Sequence, residues 1–214
     1  MPGILLSFEG IEGSGKSTQA VLLADALRAH GHEVVVTREP GGTQRGQLLR
    51  HLLLDPTEPS LAPGAELLLM LADRAQHVQE LIAPALAANK VVITDRFVDS
   101  TTAYQGYGRG FERGLLQQLN TLACGGYMPA MTFLMDLPVT EGLQRARHRR
   151  GETATADHFE AESVAFHERV RDGFLAIARA APRRVHVLDA TRPKEQVHHD
   201  ILAVLQRVIF YVAQ

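Results

Sequence analysis

The chain has 214 residues, of which 45% are hydrophobic and 21% charged, with a formal net charge of −2 at pH 7. This composition excludes a largely disordered chain, and the near-neutral charge gives no global sign of a nucleic-acid or membrane partner. Because the single Cys124 cannot form an internal disulfide, no apolar run approaches the ~20 residues of a membrane span and no signal-peptide pattern opens the sequence, we expect one cytoplasmic domain over residues 1–214.

Short apolar runs alternate with helical patterns along the chain. The runs, each expected to be a buried strand, occupy residues 4–8, 33–37, 91–95, 131–136 and 185–189. Helical spacing covers residues 16–30, 44–54, 63–88, 115–123, 140–147, 157–180 and 194–212, with a kink or break expected at Pro84. This alternation predicts an α/β fold with a five-stranded, mainly parallel sheet and helices on both faces.

A glycine-rich segment stands between the first strand and the first helix. It reads Gly10, Ile11, Glu12, Gly13, Ser14, Gly15, Lys16 and Ser17, followed by Thr18, and matches G-x-x-x-x-G-K-[ST]. Glycines let successive backbone N–H groups turn toward phosphate oxygens, and the helix N-terminus adds partial positive charge. Lys16 would reach the β- and γ-phosphates, and the Ser17 hydroxyl would ligate Mg²⁺. The sequence therefore predicts a P-loop NTPase fold with a nucleotide site.

Two other nucleotide-binding classes do not fit these residues. A dinucleotide fingerprint G-x-G-x-x-G that began at Gly13 would need glycine where Thr18 stands. A small GTPase is expected to carry N-K-x-D and D-x-x-G, but the sequence NKVV at 89–92 lacks the acid and D-x-x-G does not occur. Hydride transfer and a signalling GTPase are therefore disfavoured.

Charged residues follow two of the expected strands. Arg38 comes after the second strand, in the segment TREPGGT, and a guanidinium there would grip a second phosphate with two hydrogen bonds. Asp95 and Arg96 close the third strand, so that Asp95 is placed to hold Mg²⁺ or its water and Arg96 to face the transferring phosphate. A structural ion pair is the alternative for either residue alone.

A basic cluster lies in the second half of the chain, at Arg145, Arg147, Arg149 and Arg150. We expect residues 145–151 to form an arginine-rich turn and residues 152–156 a small-residue segment, within a short mobile lid over about residues 145–157. An arginine that a lid brings to the transferring phosphate is worth roughly 10³ to 10⁵ in rate. A solvated charged face is the usual alternative for such a run.

Five motifs resemble those of the thymidylate kinases and together cover essentially the whole chain: FEGIEGSGKST, TREPGGT, LADRAQH, DRFVDSTTAYQGYGRG and RARHRRGE. The P-loop alone is shared with many families, whereas TREPGGT and the DRF and AYQG pair are specific to this one. The resemblance implies transfer of the γ-phosphoryl group of ATP to dTMP, which gives dTDP and ADP. It also implies Mg²⁺ as cofactor, a homodimer, and neither a nucleic-acid nor a membrane partner.

The resemblance also implies which residues form the site. ATP is expected to bind residues 10–18, the glycine-rich segment. The dTMP site is expected to be lined by Glu12, Arg38, Glu39, Pro40, Met70, Arg74, Arg96, Ser100, Thr101, Tyr104 and Gln105. The phosphate contacts among these are expected at Arg38, Arg74 and Arg96. Catalysis is expected from Lys16, Asp95, Arg96, Arg149 and Arg150, and Mg²⁺ ligation from Glu12, Ser17 and Asp95.

Three positions bear on specificity in this resemblance. Tyr104 would exclude a ribose 2′-hydroxyl, and Met70 stands where the family usually has the phenylalanine that stacks on thymine, which predicts looser base selectivity. His158 replaces an expected lid arginine, whose role would pass to Arg149 or Arg150 or become pH-dependent. Two alternatives stay open: a kinase for another nucleoside monophosphate or a deoxynucleoside, and a non-catalytic nucleotide-binding module.

Overall fold

The computed structural model describes residues 3–151 and 155–212. In these residues five strands form one sheet, with β1 at Ile4–Glu9, β2 at Val34–Arg38, β3 at Val91–Asp95, β4 at Met131–Asp136 and β5 at Val185–Asp189. The strand order is β2-β3-β1-β4-β5, and all four neighbouring pairs are parallel. The predicted α/β class is confirmed, and the sheet is wholly parallel where the sequence predicts it to be mainly so.

Helices cover both faces of this sheet. They are α1 Lys16–Ala29, α2 Gln44–Leu54, α3 Pro63–His77, α4 Ala83–Ala87, α5 Val98–Thr101, α6 Arg113–Cys124, α7 Val139–Arg150, α8 Val164–Ala180 and α9 Lys194–Val212. Two π-helical segments, Val78–Ile82 and Thr102–Gly108, join α3 to α4 and extend α5. Within the described part of the chain, no helix is both long enough and apolar enough to cross a bilayer.

The central strand β1 packs in both directions. Leu6 and Phe8 point into the larger core, where the Phe8 and Phe133 rings lie 5.1 Å apart, whereas Leu5 joins Val92 in a second core on the opposite face. Side chains alternate between the faces of a strand, and each such burial stabilises the fold by about 1.5–3 kcal/mol. The carboxyl end of β1 is thereby fixed at the centre of the sheet edge that carries the site.

The predicted interruption near Pro84 is present but begins earlier in the chain. α3 ends at His77 and the backbone becomes π-helical over Val78–Ile82, before α4 resumes with Pro84 in its first turn. Proline lacks an N–H group and its ring displaces the carbonyl four residues back, which here belongs to Glu80. The distortion therefore lies on the N-terminal side of the proline.

The lid region differs from the sequence prediction in two respects. The expected turn at 145–151 is wrong, because α7 continues to Arg150 and ends at Gly151, whose φ is +88°. Basic residues in a last helical turn are stabilised by the helix dipole, which explains the extension. The expected helix start at Asp157 is also wrong: α8 begins at Val164, capped by the Ser163 side chain. Residues 152–154 of the expected small-residue segment lie outside the described residues.

Candidate active site

The glycine-rich loop joins β1 to α1 and packs tightly against α7. Gly13 has a φ of +70°, and a Cβ atom there would lie 2.0 Å from the carbonyl oxygen of Gly142. Gly15 has a φ of +88° at the start of α1. Gly13 is required by the close approach of α7, and Gly15 by a left-handed backbone conformation that side chains with a Cβ atom rarely adopt.

Lys16 closes this loop from the first residue of α1. Its Nζ atom donates to the Ile11 carbonyl oxygen at 2.7 Å and to Ser14 Oγ at 3.2 Å. Burial, with the nearby Arg96 guanidinium, lowers the pKa of Lys16 to about 8. The ammonium group is thus poorly solvated, and a phosphate that bound there would be attracted strongly.

A hydroxyl and a carboxylate lie together beside the loop. Asp95 ends β3, which pairs with β1 so that Asp95 stands opposite Phe8, and Ser17 Oγ donates to Asp95 Oδ2 in a short hydrogen bond. Such oxygen atoms are the ligands that Mg²⁺ prefers, with phosphates and water completing its shell. Within residues 3–151 and 155–212, no group of three or more His, Cys, Asp or Glu side chains is placed to hold a metal ion by itself.

Arg96 occupies the centre of the cleft in an unusual backbone conformation. Its φ is +74°, a left-handed value that costs a non-glycine residue about 1–3 kcal/mol. Its Nη2 atom donates to Glu12 Oε1 at 2.9 Å, and its Nη1 atom donates to the Gly10 carbonyl at 2.9 Å and to Ser100 Oγ at 3.1 Å. This network holds the guanidinium between the glycine-rich loop and α5.

Glu12 accepts hydrogen bonds from two side chains at Oε1, and the His167 imidazole lies beside Oε2. The Tyr104 hydroxyl donates to Oε1 at 2.6 Å, beside Arg96, and His167 Nδ1 lies 3.3 Å from Oε2. Although burial alone would raise it, the neighbouring His167 and Arg96 hold the pKa of Glu12 well below its usual range. Glu12 is therefore a carboxylate anchored at the middle of the cleft.

A second pair of arginines lies on the β2 side of the cleft. Arg38 is exposed, and among the described residues no carboxylate pairs with its guanidinium. Arg50, from α2, donates to the Pro40 carbonyl at 2.9 Å and lines the same cleft. Burial, together with the charge on Arg38, lowers the pKa of Arg50. Two guanidinium groups without a carboxylate between them form a surface for an anion.

Arg74 is placed differently from the phosphate contact expected of it. It is 2% exposed, and it donates to Glu39 Oε2 at 2.8 Å, Thr101 Oγ1 at 2.8 Å, Asn120 Oδ1 at 2.7 Å and the Phe97 carbonyl at 2.9 Å. A guanidinium has five N–H groups, so this arrangement leaves at most one for a ligand. A two-pronged grip on a phosphate is therefore incompatible with this conformation.

The cleft brings most of the predicted residues together, in a volume of about 430 Å³. Its lining includes Glu12, Gly13, Gly15, Lys16, Ser17, Thr18, Arg38, Glu39, Pro40, Met70, Arg74, Asp95, Arg96, Ser100, Thr101, Tyr104, Gln105 and Arg149. Of the other predicted residues, Gly10, Ile11 and Ser14 belong to the same loop but do not line the cleft, and Arg150, also outside the lining, pairs with Glu160.

A family model described as thymidylate kinase matches residues 8–201. The chain belongs to the thymidylate kinase family. It is 51% identical over 208 residues to the thymidylate kinase of Desulfosudis oleivorans, which covers 96% of this chain and 97% of that protein. It is 53% identical over 197 residues to that of Desulfovibrio desulfuricans, at 91% of both chains. A crystal structure of thymidylate kinase from Ehrlichia chaffeensis superposes with a TM-score of 0.77 at 38% identity, covering 96% of this chain and 99% of that one.

Family membership confirms the predicted reaction. The protein is an ATP-dependent dTMP kinase, and it makes dTDP and ADP. A non-catalytic nucleotide-binding module is therefore excluded. The individual roles of the site residues remain predictions, which the geometry now constrains.

The region predicted to be a lid places one arginine in the lining of the cleft, and a single carboxylate pairs with two of its arginines. Arg149 lines the cleft, and Glu160 pairs with Arg149 at 3.7 Å and forms a close ion pair with Arg150. Burial, and then Asp157, raise the pKa of Glu160. Arg145 is turned away, since it donates to the Ala190 carbonyl at 2.8 Å. One carboxylate thus holds both arginines that we expect to act in catalysis.

Sequence reasoning missed several residues that shape this site. Glu9 is fully buried at the end of β1 and accepts from the backbone N–H of Phe97 at 2.8 Å and from Ser100 Oγ at 2.6 Å. It therefore braces the turn that contains Arg96. His167 was also missed, because Glu12 is far away in sequence, and Arg50 was missed because nothing in the helical pattern of α2 marks it as facing the cleft. The one available signal was at Glu9, an acidic residue that directly follows the short apolar run at 4–8.

Proposed function

We propose that ATP and dTMP lie end to end in this cleft, with ATP on the glycine-rich loop and dTMP between α3 and α5. The observation that carries the proposal is the position of Lys16 and Arg96. Both line one cleft, Lys16 at the start of the helix after β1 and Arg96 at the end of β3, and these strands are neighbours. The two phosphate-binding cations therefore face a common space.

On the donor side, backbone N–H groups of the loop and Lys16 would hold the β- and γ-phosphates of ATP. Ser17 and Asp95 fit Mg²⁺, since their oxygen atoms already lie in contact. When bound, the ion would neutralise negative charge on the phosphates. The family resemblance implies that Glu12 lies near the sugar 3′-hydroxyl, and because Glu12 already accepts from Arg96 and Tyr104 we assign it to the outer surroundings of the metal.

On the acceptor side, Arg96 and Arg38 would grip the phosphate of dTMP. One of its anionic oxygens attacks the γ-phosphorus of ATP, a new P–O bond forms, and the bond to the bridging oxygen of ADP breaks. No general base is required, because the attacking oxygen is already deprotonated. Catalysis then depends on alignment and charge neutralisation, which preorganised guanidinium groups supply.

We propose that the base and sugar of dTMP occupy the inner end of the cleft. Met70, Thr101 and Gln105 line this end, and Met70 would cover the thymine ring with its polarizable thioether. The Tyr104 ring, packed edge-on against Phe159 at 5.6 Å, would close the space that a ribose 2′-hydroxyl needs. Specificity for a deoxynucleotide would follow from this packing.

The lid arginines would act on the phosphates of ATP once Glu160 releases them. An open site would let water attack the γ-phosphate, so closure that depends on the acceptor would limit wasteful hydrolysis. We propose that residues 1–214 form one domain with this lid and that it acts in the cytoplasm.

An ADP-release assay with and without dTMP tests the function directly. We expect ADP release that depends on dTMP, with much slower turnover of dUMP, dCMP and dGMP in parallel reactions. Met70 is the observation that favours the second candidate, a kinase of broader base preference, because methionine defines the shape of a base pocket less sharply than phenylalanine. Faster turnover of another nucleotide than of dTMP would support that candidate. ADP release that ignores every acceptor would contradict both.

We also propose a homodimer, formed through the outer surface of α2, α3 and α6. These helices pack side by side and expose large apolar side chains, at Leu48, Leu52, Leu68, Leu115 and Leu122. Leu122 is 80% exposed, and several exposed leucines on neighbouring helices are typical of a protein interface.

Sedimentation velocity tests the dimer with two variants. Leu122→Glu should shift the protein to a monomer, because a charge would be buried in the interface. Val164→Glu, on the exposed start of α8, is the matched control and should leave the dimer intact. A wild-type protein that sediments as a monomer at micromolar concentration would contradict the proposal.

A further inference from the structure

Glu66 lies outside the cleft lining and yet touches the residue at its inner end. The side chain comes from the first turn of α3 and is buried. Gln105 Nε2 donates to Glu66 Oε1 at 2.8 Å, and Arg109 Nη2 donates to Oε2 at 2.9 Å. Arg109 also forms an ion pair with Glu162, on the segment that follows the lid. Both oxygens of Glu66 are therefore engaged by donors.

The chemistry of Glu66 fixes which way the Gln105 amide points. An ionised carboxylate only accepts hydrogen bonds, and the paired Arg109 is the partner expected of an ionised one. The amide must then present its NH₂ group to Glu66. The hydrogen-bond partner thereby decides which end of the Gln105 amide is nitrogen and which is oxygen. Among the described residues, none donates to Oε1 of Gln105. That oxygen is the hydrogen-bond acceptor left for a ligand.

The position of Gln105 matches the proposed base site. Glu66, Met70 and Arg74 are spaced four residues apart on α3, which places them along one face of the helix. Met70 and Gln105 both line the cleft, with Thr101 one helical turn before Gln105. The acceptor oxygen therefore belongs to the end of the cleft where the base would lie.

We infer that Glu66 is a positioning residue for base selection: by holding the NH₂ group of Gln105, it makes the pocket select pyrimidines whose N3 atom carries a hydrogen. This rests on the proposed placement of dTMP. Thymine and uracil have an N3–H group that can donate to Gln105 Oε1. The N3 atom of cytosine has a lone pair, so the same position would set two acceptors against each other.

The Glu66→Gln variant tests the inference, because an amide at position 66 can accept or donate a hydrogen bond. The Gln105 amide can then flip, so that its oxygen and nitrogen exchange positions. We expect the ratio of kcat/KM for dTMP to that for dCMP to fall at least about tenfold. The ratio for dTMP to dUMP should stay constant, since both bases carry N3–H. Glu162→Gln is the matched control, because it removes the other carboxylate on Arg109 without touching Gln105. An unchanged dTMP to dCMP ratio in folded Glu66→Gln, or an equal fall in Glu162→Gln, would overturn the inference.

A binding measurement on the wild-type protein covers the case in which Glu66→Gln does not fold. Calorimetry should show N3-methyl-dTMP binding at least about tenfold more weakly than dTMP, because the methyl group removes the donor. Equal affinity for the two nucleotides would overturn the inference. Failure of the proposed function is distinguishable, since the wild-type protein would then show no dTMP-dependent ADP release at all.

Discussion

Arg96 donates from Nη2 to Oε1 of Glu12 across 2.9 Å, so the guanidinium at the centre of the cleft is paired with a carboxylate. The pair is partly buried, and burial makes each partner depend on the other for its charge. An incoming phosphate must therefore share Arg96 with Glu12. Glu12 fixes the guanidinium in place, whereas the left-handed backbone of Arg96 is held by its own hydrogen bonds, from its N–H to the Phe8 carbonyl at 2.9 Å and from Thr94 Oγ1 to its carbonyl at 2.8 Å.

Removing the central cations should abolish turnover. We expect Lys16→Ala and Arg96→Ala each to lower kcat by at least about 10³, because each removes a charge aimed at transferring phosphate. Steady-state kinetics with saturating ATP and dTMP measure this. Arg28→Ala, whose partner Asp25 lies on the surface of α1, is the control and should keep its activity. Near-normal kcat in Arg96→Ala would remove that residue from catalysis.

The lid should act on the transition state more than on binding. We expect Arg150→Ala to lower kcat more than it raises KM for ATP, since the arginine meets the phosphates only when the lid closes. Parallel kinetics of Arg149→Ala rank the two residues. A large rise in the KM of Arg150→Ala with kcat preserved would show instead that Arg150 holds ATP in the ground state.

Glu9 should make the stability of the protein depend on pH. Burial, and then the charge of Asp99, raise its pKa from 4.5 to about 8, so between these values the folded protein keeps a proton that the unfolded chain has lost. This contribution is fully present below about pH 4.5 and is lost as the pH rises through about 8, with a slope of at most about 1.4 kcal/mol per pH unit.

Urea unfolding of Glu9→Gln from pH 5 to 8 measures that slope. Glutamine resembles the protonated side chain and cannot titrate, so we expect a flatter profile than in the wild type and equal or greater stability at pH 8. Asp25→Asn, which removes a surface carboxylate, is the control and should leave the slope unchanged. Parallel profiles for Glu9→Gln and the wild type would show that Glu9 is ionised in the folded protein.

Met70 should set how tightly the base is held. We expect Met70→Ala to raise KM for dTMP by about tenfold, and Met70→Phe to lower it, because a flat ring stacks on a base better than a thioether does. The same panel of nucleotides should show a sharper preference for dTMP in Met70→Phe. Equal KM values in the wild type and both variants would place the base elsewhere.

The sequence was sufficient for the framework of the site but not for its internal pairing. All five strands and the P-loop were predictable, because buried parallel strands read as short apolar runs and the loop has a fixed spacing. The partners of Arg74 were not, since the side chains that occupy its guanidinium come from positions 39, 101 and 120. Which charged groups meet across the fold depends on tertiary packing, and local pattern does not contain it.

The start of α8 shows the same limit at the level of a helix. Asp157 accepts hydrogen bonds from the backbone N–H groups of Phe159 and Glu160, which makes a local turn. The helix begins only after Ser163, whose side chain caps it. Aspartate and serine are both good caps, so residue type alone does not decide between a start at Asp157 and one after Ser163. Packing of Phe159 against Tyr104 favours the later one.

The most direct test of the account is a crystal structure of the protein with dTMP. We predict that the phosphate of dTMP lies within hydrogen-bond distance of the Arg96 and Arg38 guanidinium groups, with the thymine ring against Met70 and its N3 atom facing Gln105. The account would be contradicted by a dTMP molecule bound elsewhere. It would also be contradicted if Arg96 remained hydrogen-bonded to Glu12 alone and the phosphate contacted neither arginine.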